Sequence, residues 1–377
     1  MLLTPEQEMI RDAVRAYARE KLAPFAAQWD RDGTFPREAL NGLAQMGLFG
    51  IAVPEQWSGA GLNTLAVAIA MEEIAAGDAA TSTVIAVNNL VAGILAGYAS
   101  PEQKAQYLKP LASGAALGCF CLTEPHVGSD ASAILTRARR DGDQWVLDGI
   151  KQFITSGRTA DLAVVFAVSD RGAGKSGISA FIVPTATPGY VVAHVEEKMG
   201  QHASDTAQIV FENCRVPSGN LLGREGEGYR IALSNLEGGR IAIAAQALGI
   251  ARAAYEAALR YARERVTFGK PLIEHQAANF RLADMATGIE VARQMVWHAA
   301  SLRDAKRDCL KEASMAKLFA SDTAEKICSE AIQLHGGYGY TSDFPVERLY
   351  RDVRVTRIYE GANDIQRLLI GRTIAGE

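Results

Sequence analysis

Three groups of side chains stand where their types and spacing could do chemistry. Glu360 lies in the run Tyr359-Glu-Gly-Ala-Asn-Asp-Ile-Gln366, a carboxylate between an aromatic ring and a glycine that allows a tight turn. Such a carboxylate acts as a general base when it comes within about 2.6 to 3.2 Å of the proton it takes and apolar surroundings raise its pKa. Thr123 and Ser129, in Cys121-Leu-Thr-Glu-Pro-His-Val-Gly-Ser-Asp130, offer hydroxyls beside a turn glycine, where backbone can approach a ligand closely. Arg265, in Arg263-Glu-Arg-Val-Thr-Phe-Gly-Lys-Pro-Leu272, carries planar donors that match two oxygens of a pyrophosphate. Taken singly, each has a plainer explanation: a surface glutamate cap, an Asx turn at Asp130, a solvated arginine on a helix.

Other spellings fail in their context. Gly174-Lys175-Ser176 ends like a phosphate-binding P-loop, but Ser169 stands where that motif begins with glycine, and Ile178 to Val183 reads as a strand. Gly223, Gly226 and Gly228 lack the GxGxxG spacing and suggest a flexible interdomain turn. Ser314 and Lys317 have SxxK spacing without its companion motifs, so an ordinary helix face is expected. The six histidines show no ligand spacing, and no metal site is expected. Five cysteines without CxxC spacing read as reduced thiols.

These residues need elements to hold them. From Pro5 to about Leu111 the pattern is helical, with Ile10, Val14, Tyr17, Ala18 and Leu22 placed to face a core. Further helices are expected at Pro36 to Met46, Leu62 to Ala76, Thr81 to Ala99 and Pro101 to Leu111. Near residue 115 the period changes. Trp145 to Ile154 reads as a strand in which Gly149 marks a bulge or close approach, and Leu162 to Val168, Ile178 to Val183, Tyr190 to Val195 and Ala207 to Glu212 read as shorter strands. Alanine-rich helical spacing returns after Gly228. This order, helix then strand then helix, excludes a continuous βαβ repeat. With 39 Lys and Arg against 43 Asp and Glu, the chain lacks the basic excess of a nucleic-acid binder. The first twenty residues are neither a cleavable apolar signal nor a membrane span, so a soluble cytoplasmic protein without membrane insertion is expected.

Several separated segments, in order across roughly the whole length, resemble the acyl-CoA dehydrogenase family of flavoproteins. The resemblance implies an α+β multidomain fold: an all-helical N-terminal domain (1–114), a middle β-barrel-like domain (115–222) and a C-terminal four-helix bundle (223–377). It implies FAD, with Thr123 at the flavin and Ser129 beside the flavin or coenzyme A. In Lys151-Gln-Phe-Ile-Thr-Ser-Gly157, Phe153 takes the place of a commoner tryptophan beside the flavin, and Thr155 that of a hydroxyl at its reactive edge. Arg265, Thr267, Phe268, Leu272, His275, Gln333, Gly336 and Gly337 fall at positions that reach another subunit's FAD. The segment Met199-Gly-Gln-His-Ala-Ser-Asp-Thr206 resembles the passage out of the middle domain, with His202 replacing a usual arginine and read as a structural turn residue.

By the same resemblance Glu360 is the catalytic base, with Tyr359 and Gly361 beside the substrate and Glu237 and Arg240 organising the thioester end. Some relatives carry the base on an earlier helix, before a matching arginine; here that position is Gly239, which has no side chain to serve. Ala362 and Asp364 depart from the usual threonine and glutamate or glutamine. The implied reaction is removal of an α proton by Glu360 with transfer of the β hydride to FAD N5, giving a trans-2-enoyl-CoA. An electron-transfer flavoprotein is the implied acceptor, and a homotetramer built as a dimer of dimers the implied assembly. An acyl-CoA oxidase or related flavoenzyme on a modified thioester, and a noncatalytic acyl-CoA-binding scaffold, are the alternatives.

Overall fold

The computed structural model describes residues 2–376, beginning with a run of helices. Thr4 and Gln7 form a reciprocal capping box at the start of α1 (Pro5–Tyr17), and one π-helical turn carries the chain toward α2 (Ala26–Asp32). After α3 (Arg37–Gln45), Asn63 and Asp78 cap α4 (Thr64–Gly77) and α5 (Ala79–Tyr98). A second capping box, Ser100 with Gln103, opens α6 (Pro101–Gln103), and a further π turn leads into α7 (Lys109–Ser113). Val14, Ala18 and Leu22 are buried, and Ile10 and Tyr17 pack on the same core, as the spacing requires. α5 has the length and apolarity of a membrane span, but most of it lies packed inside the protein.

From Gly118 the chain turns to strands: β1 (Gly118–Cys121), β2 (Arg137–Asp141), β3 (Gln144–Thr155), β4 (Leu162–Val168), β5 (Ile178–Pro184), β6 (Tyr190–Val195), β7 (Thr206–Pro217) and β8 (Leu221–Leu222). They form one sheet in the order β6-β7-β3-β2-β4-β5-β8, with β1 parallel beside β4. The sheet curls around its own core, so Trp145 of β3 meets Phe181 of β5 edge to face, ring centroids 5.3 Å apart. Against β7, β3 shifts register twice, between Leu147 and Gly149 and between Lys151 and Ile154. The first shift is the expected bulge and close approach: a Cβ on Gly149 would stand 2.6 Å from Thr136 Cα. At the second, Phe153 takes φ 58°, which turns its ring out of the sheet. β7 runs past the expected end at Glu212, because Cys214 to Val216 resume pairing beyond Asn213, whose φ of 48° interrupts the alternation.

The glycine stretch before α8 (Gly228–Ser234) is a turn, as expected, but a closely packed one: a Cβ on Gly226 would meet the Ser176 carbonyl oxygen at 2.4 Å. The C-terminal helices are α9 (Leu236–Glu264), α10 (Gln276–Asp304), α11 (Leu310–His335), α12 (Val346–Val353) and α13 (Asn363–Ala375). α9, α10 and α11 pack along one another, with α13 on α11, and their buried alanines allow close approach. α4 lies against α9 and ties the first helical layer to this bundle. That junction is charged as well as apolar. Glu73 of α4 accepts from Arg252 of α9 at 2.6 Å and from Arg15 of α1 at 2.8 Å, and Glu72 pairs with Arg293 of α10 at 2.9 Å. These buried carboxylates are matched by guanidinium donors, so they fix the register of α9 without an unpaired charge.

Candidate active site

Glu360 lies in the turn between α12 and α13 at φ 53°, and Gly361 follows at φ 89°. A left-handed glutamate is strained by about 1 to 2 kcal/mol, a cost that persists only where the surroundings enforce it. Gln366 enforces it from below, its Nε2 donating to the Gly361 carbonyl at 2.8 Å. Across the cleft lies α9, where a Cβ on Gly239 would come within 2.6 Å of Glu360 Oε2. The missing side chain at 239 is thus the space the carboxylate occupies. Burial pushes the Glu360 carboxyl above its ordinary range, opposed by the charges of Arg240 and Lys317. Arg240 is buried, and its Nε has no hydrogen-bond partner among the described residues. Glu237, a turn earlier, faces Arg303 at 3.9 Å, receives the Cys309 thiol at 3.6 Å and is among the charges that act on Arg240.

Tyr359 is held by a polar network that its neighbours in sequence do not announce. Its hydroxyl donates to Gln246 of α9 and accepts from Gln201 Nε2 at 3.4 Å. Gln246 is fully buried and donates in turn to the Ala79 carbonyl, Ser82 and Thr83 of α5. Gln201 also takes the Thr83 hydroxyl at 2.6 Å, and its backbone N–H donates to Asp352 at 2.5 Å. The segment 199–206 therefore joins all three parts of the molecule at the base turn. His202 plays the structural role expected, with Nε2 at 2.7 Å from the Lys198 carbonyl and Nδ1 at 3.1 Å from Asp30.

The segments 121–130, 151–157 and 199–206 meet on the middle sheet. Gln152 N donates to the Thr123 carbonyl at 2.9 Å, and Ser156 N to the Asp205 carbonyl at 2.9 Å. Thr123 and Thr155 are half-buried, Ser129 is exposed, and Phe153 is 62% exposed. Beneath them Lys151, wholly buried, donates to the Leu122 carbonyl at 3.0 Å and to Glu124 at 2.8 Å, while Glu124 accepts Leu135 N at 2.6 Å and Thr136 N at 2.9 Å. The buried ion pair thus pins the loop that presents Thr123. Hydroxyls and an outward aromatic face on a fixed backbone are a donor set that fits the edge and plane of a flavin.

Arg265, Thr267, Phe268, Leu272 and His275 form a separate cluster at the far end of α9. A two-residue hairpin joins β9 (Val266–Thr267) to β10 (Lys270–Pro271), with Phe268 at φ 49° and Gly269 at φ 81°, the paired positive values of a tight hairpin turn. Phe268 is 98% exposed. His275 Nε2 braces the hairpin from 3.1 Å of the Thr267 carbonyl, Leu272 N donates to the Arg265 carbonyl at 2.7 Å, and the Arg265 guanidinium lies 5.9 Å from the ring of Tyr338. That ring belongs to the turn after α11, which exposes Gly336 and Gly337, while Gln333 is exposed on the last turn of α11 itself. Arg240 and Arg265 sit at opposite ends of α9, roughly 37 Å apart at 1.5 Å per residue. The Arg265 hairpin therefore stands apart from the base turn.

Sequence reasoning missed Lys151, Glu124, Gln201, Gln246, Thr83 and Lys317. Lys151 and Gln201 lay inside the quoted segments without a role, whereas Gln246 and Thr83 had no local signal. The expectation for Lys317 is corrected: it is no ordinary helix face but a fully buried ammonium whose partners are Gly361 and Asn363.

Models of three acyl-CoA dehydrogenase domains match the chain in order, the N-terminal domain over residues 4–115, the middle domain over 119–214 and the C-terminal domain over 226–375. An acyl-CoA dehydrogenase of Bacillus subtilis (strain 168) is 48% identical over 377 residues, covering 100% of both chains. The mitochondrial short-chain specific acyl-CoA dehydrogenase of Rattus norvegicus is 47% identical over 369 residues, 98% of this chain and 90% of that one. The solved structure of butyryl-CoA dehydrogenase from Megasphaera elsdenii superposes with a TM-score of 0.97 at 40% identity, covering 100% of this chain and 99% of that one. One expectation is overturned: the rat relative and its mammalian counterparts are mitochondrial by name, against the cytoplasmic location inferred from the N-terminal residues. Three domains in the family's order, relatives near half identity end to end and a superposable fold place this chain in the acyl-CoA dehydrogenase family.

Proposed function

We propose that this FAD-dependent acyl-CoA dehydrogenase acts on short-chain acyl-CoA thioesters, with Glu360 as the general base. The observation that carries the base is its carboxylate seated against side-chain-free Gly239, with burial raising its pKa and Arg240 and Lys317 opposing that rise. FAD supplies the acceptor for the β hydride. Glu360 takes the α proton, and its backbone N–H, which has no partner among the described residues, is free to stabilise the thioester oxygen as charge develops there. Arg240 balances the ionised carboxylate before the substrate enters. Thr123, Ser129, Phe153 and Thr155 hold and cover the flavin.

The chain-length proposal draws on α9. Gln246 lies seven residues beyond Gly239, two turns along the same helix face and about 10 Å away. There it forms a buried polar knot with Ser82, Thr83 and Tyr359. A long acyl chain continuing along that face would have to break hydrogen bonds that no methylene replaces, at a cost of about 1 to 3 kcal/mol for each polar group left unpaired. The short-chain and butyryl names of the relatives agree with this reading. Arg265, Thr267, Phe268, Leu272, His275, Gln333, Gly336 and Gly337 then serve the dinucleotide of a second copy, since they lie too far from Glu360 to share its cofactor. A homotetramer and reoxidation by an electron-transfer flavoprotein complete the proposal.

The test is anaerobic titration of FAD-bound protein with straight-chain acyl-CoAs of increasing length. Bleaching of the flavin by butyryl-CoA, with weaker or no response to palmitoyl-CoA, is expected; preferential bleaching by palmitoyl-CoA would overturn the length assignment. Reoxidation should be slow in air. Rapid reoxidation by oxygen would make the protein an oxidase instead.

A further inference from the structure

The face of α11 beneath the base turn carries a buried charge that the reaction as described does not use. Lys317 has no exposed surface. Its ammonium donates to the Gly361 carbonyl at 2.8 Å and to Asn363 Oδ1 at 2.9 Å. Asn363 Nδ2 in turn donates to Ser321 Oγ at 3.0 Å and to Asp322 Oδ1 at 2.8 Å, both one turn further along the same helix. Three side chains of α11 thus grip the two residues that flank the start of α13, directly after Glu360. A fully buried ammonium is expensive, and an apolar side chain would fill the same volume at less cost. Its position therefore calls for a role beyond packing.

The charged groups around Lys317 come from every element that faces it: Glu360 in the base turn, Asp322 on α11, Arg240 on α9 and Arg357 in the turn before the base. Burial pushes the ammonium down to about 8, and Glu360 is the largest influence holding it up. The effect is mutual, because Lys317 is among the charges that pull the Glu360 carboxyl down.

We propose that Lys317 is a positioning residue for proton abstraction: through Gly361 and Asn363 it holds Glu360 in its left-handed conformation with the carboxylate against Gly239. This rests on Glu360 being the base. The turn is not left without support when Lys317 is replaced, since Gln366 Nε2 still donates to the Gly361 carbonyl. What is lost is the second anchor and the positive charge.

The experiment uses FAD-bound Lys317→Met, which removes donor and charge, Lys317→Gln, which keeps a donor without charge, and Glu360→Gln. Single-turnover flavin reduction by butyryl-CoA is followed anaerobically as pH is varied, beside FAD content, thermal midpoint and crotonyl-CoA affinity. For Lys317→Met the limiting rate is expected to fall on the order of tenfold to hundredfold, with affinity and FAD content near the parent's. Its acid limb should move to higher pH, because removing a positive charge makes the Glu360 carboxyl harder to ionise. Lys317→Gln should regain part of the rate and keep the displaced acid limb. A parent-like rate and acid limb in both variants would overturn the proposal. So would a rate loss that merely tracks lost FAD or a lowered midpoint with the limb unmoved, which would make Lys317 a strut of the fold. A parent-like rate in Glu360→Gln would instead defeat the assignment of the base, a separate and distinguishable failure.

Discussion

Glu360 owes its place to two glycines, Gly361 beside it in the chain and Gly239 across the cleft. Gly239→Ala is therefore an informative change, because its two effects have opposite signs. Alanine in a helix interior gains up to about 1 kcal/mol over glycine, yet its Cβ would intrude to 2.6 Å from Glu360 Oε2. The expected outcome is a thermal midpoint at or above the parent's with flavin reduction slowed on the order of tenfold to hundredfold; a parent-like rate in stopped flow would show that the carboxylate does not work from this position. The pH dependence follows from the raised carboxyl. Only ionised Glu360 can take a proton, so the limiting rate should rise with pH through a value above the ordinary carboxylate range and level off beyond it. An acid limb at or below the value of a free glutamate would contradict the burial described. Glu360, Tyr359 and Arg240 were legible in the sequence because they sit in recognisable runs. Lys317, Gln201 and Gln246 were not, since their partners lie 44, 158 and 113 residues away and no spacing rule reaches across folds of that length.

At the scale of elements the helix starts at Pro5 and Pro101 were legible, because caps are local chemistry: Thr4 and Ser100 each accept a backbone N–H of the first turn. The starts expected at Leu62 and Thr81 missed the caps Asn63 and Asp78, which open their helices at Thr64 and Ala79. The π turns at Ala18–Leu22 and Lys104–Leu108 left no such mark. Strand β3 was read through Phe153 and to within one residue of both its ends, whereas β7 was read too short, because Asn213 at positive φ interrupts the two-residue alternation. Phe153, also at positive φ, is where β3 presents its aromatic face. Behind that face, Lys151 and Glu124 form a pair with almost no exposed surface. Burial would raise the Glu124 carboxyl, but Lys151 and the Thr136 and Leu135 donors outweigh it and leave it below the ordinary range. A carboxyl with a lowered folded pKa contributes stability above its unfolded pKa and loses it as pH falls through the folded value. Glu124→Gln should accordingly destabilise by about 3 kcal/mol in chemical denaturation near neutral pH, by leaving Lys151 without its counter-charge, and should weaken retention of FAD. Adding Lys151→Met should restore part of the stability. A loss well under 1 kcal/mol for the single change would mean the pair is not what fixes the Thr123 loop.

The long α9 helix sets the plan of the whole molecule, with the base site at one end and the Arg265 hairpin at the other. The three-part division was legible from the change of period along the chain, whereas the expectation that the Arg265 segment serves another subunit's cofactor came only with the family resemblance, since periodicity alone does not say which way the 29-residue helix runs. An exposed Phe268 at positive φ beside an exposed Arg265 is consistent with the proposal that a second copy brings its cofactor there. Light scattering of the FAD-bound protein should give the mass of a tetramer, and Arg265→Ala should lower FAD content while the fraction that retains FAD is reduced by substrate at a near-parental rate. A monomer that holds FAD and turns over would contradict the sharing. The claim on which all of this rests is that one carboxylate takes the α proton, and single-turnover reduction of bound flavin by saturating butyryl-CoA in Glu360→Gln tests it most directly. The account expects FAD and thioester still bound and the reduction rate lower by about a hundredfold to ten-thousandfold; flavin bleached as fast as in the parent would contradict it.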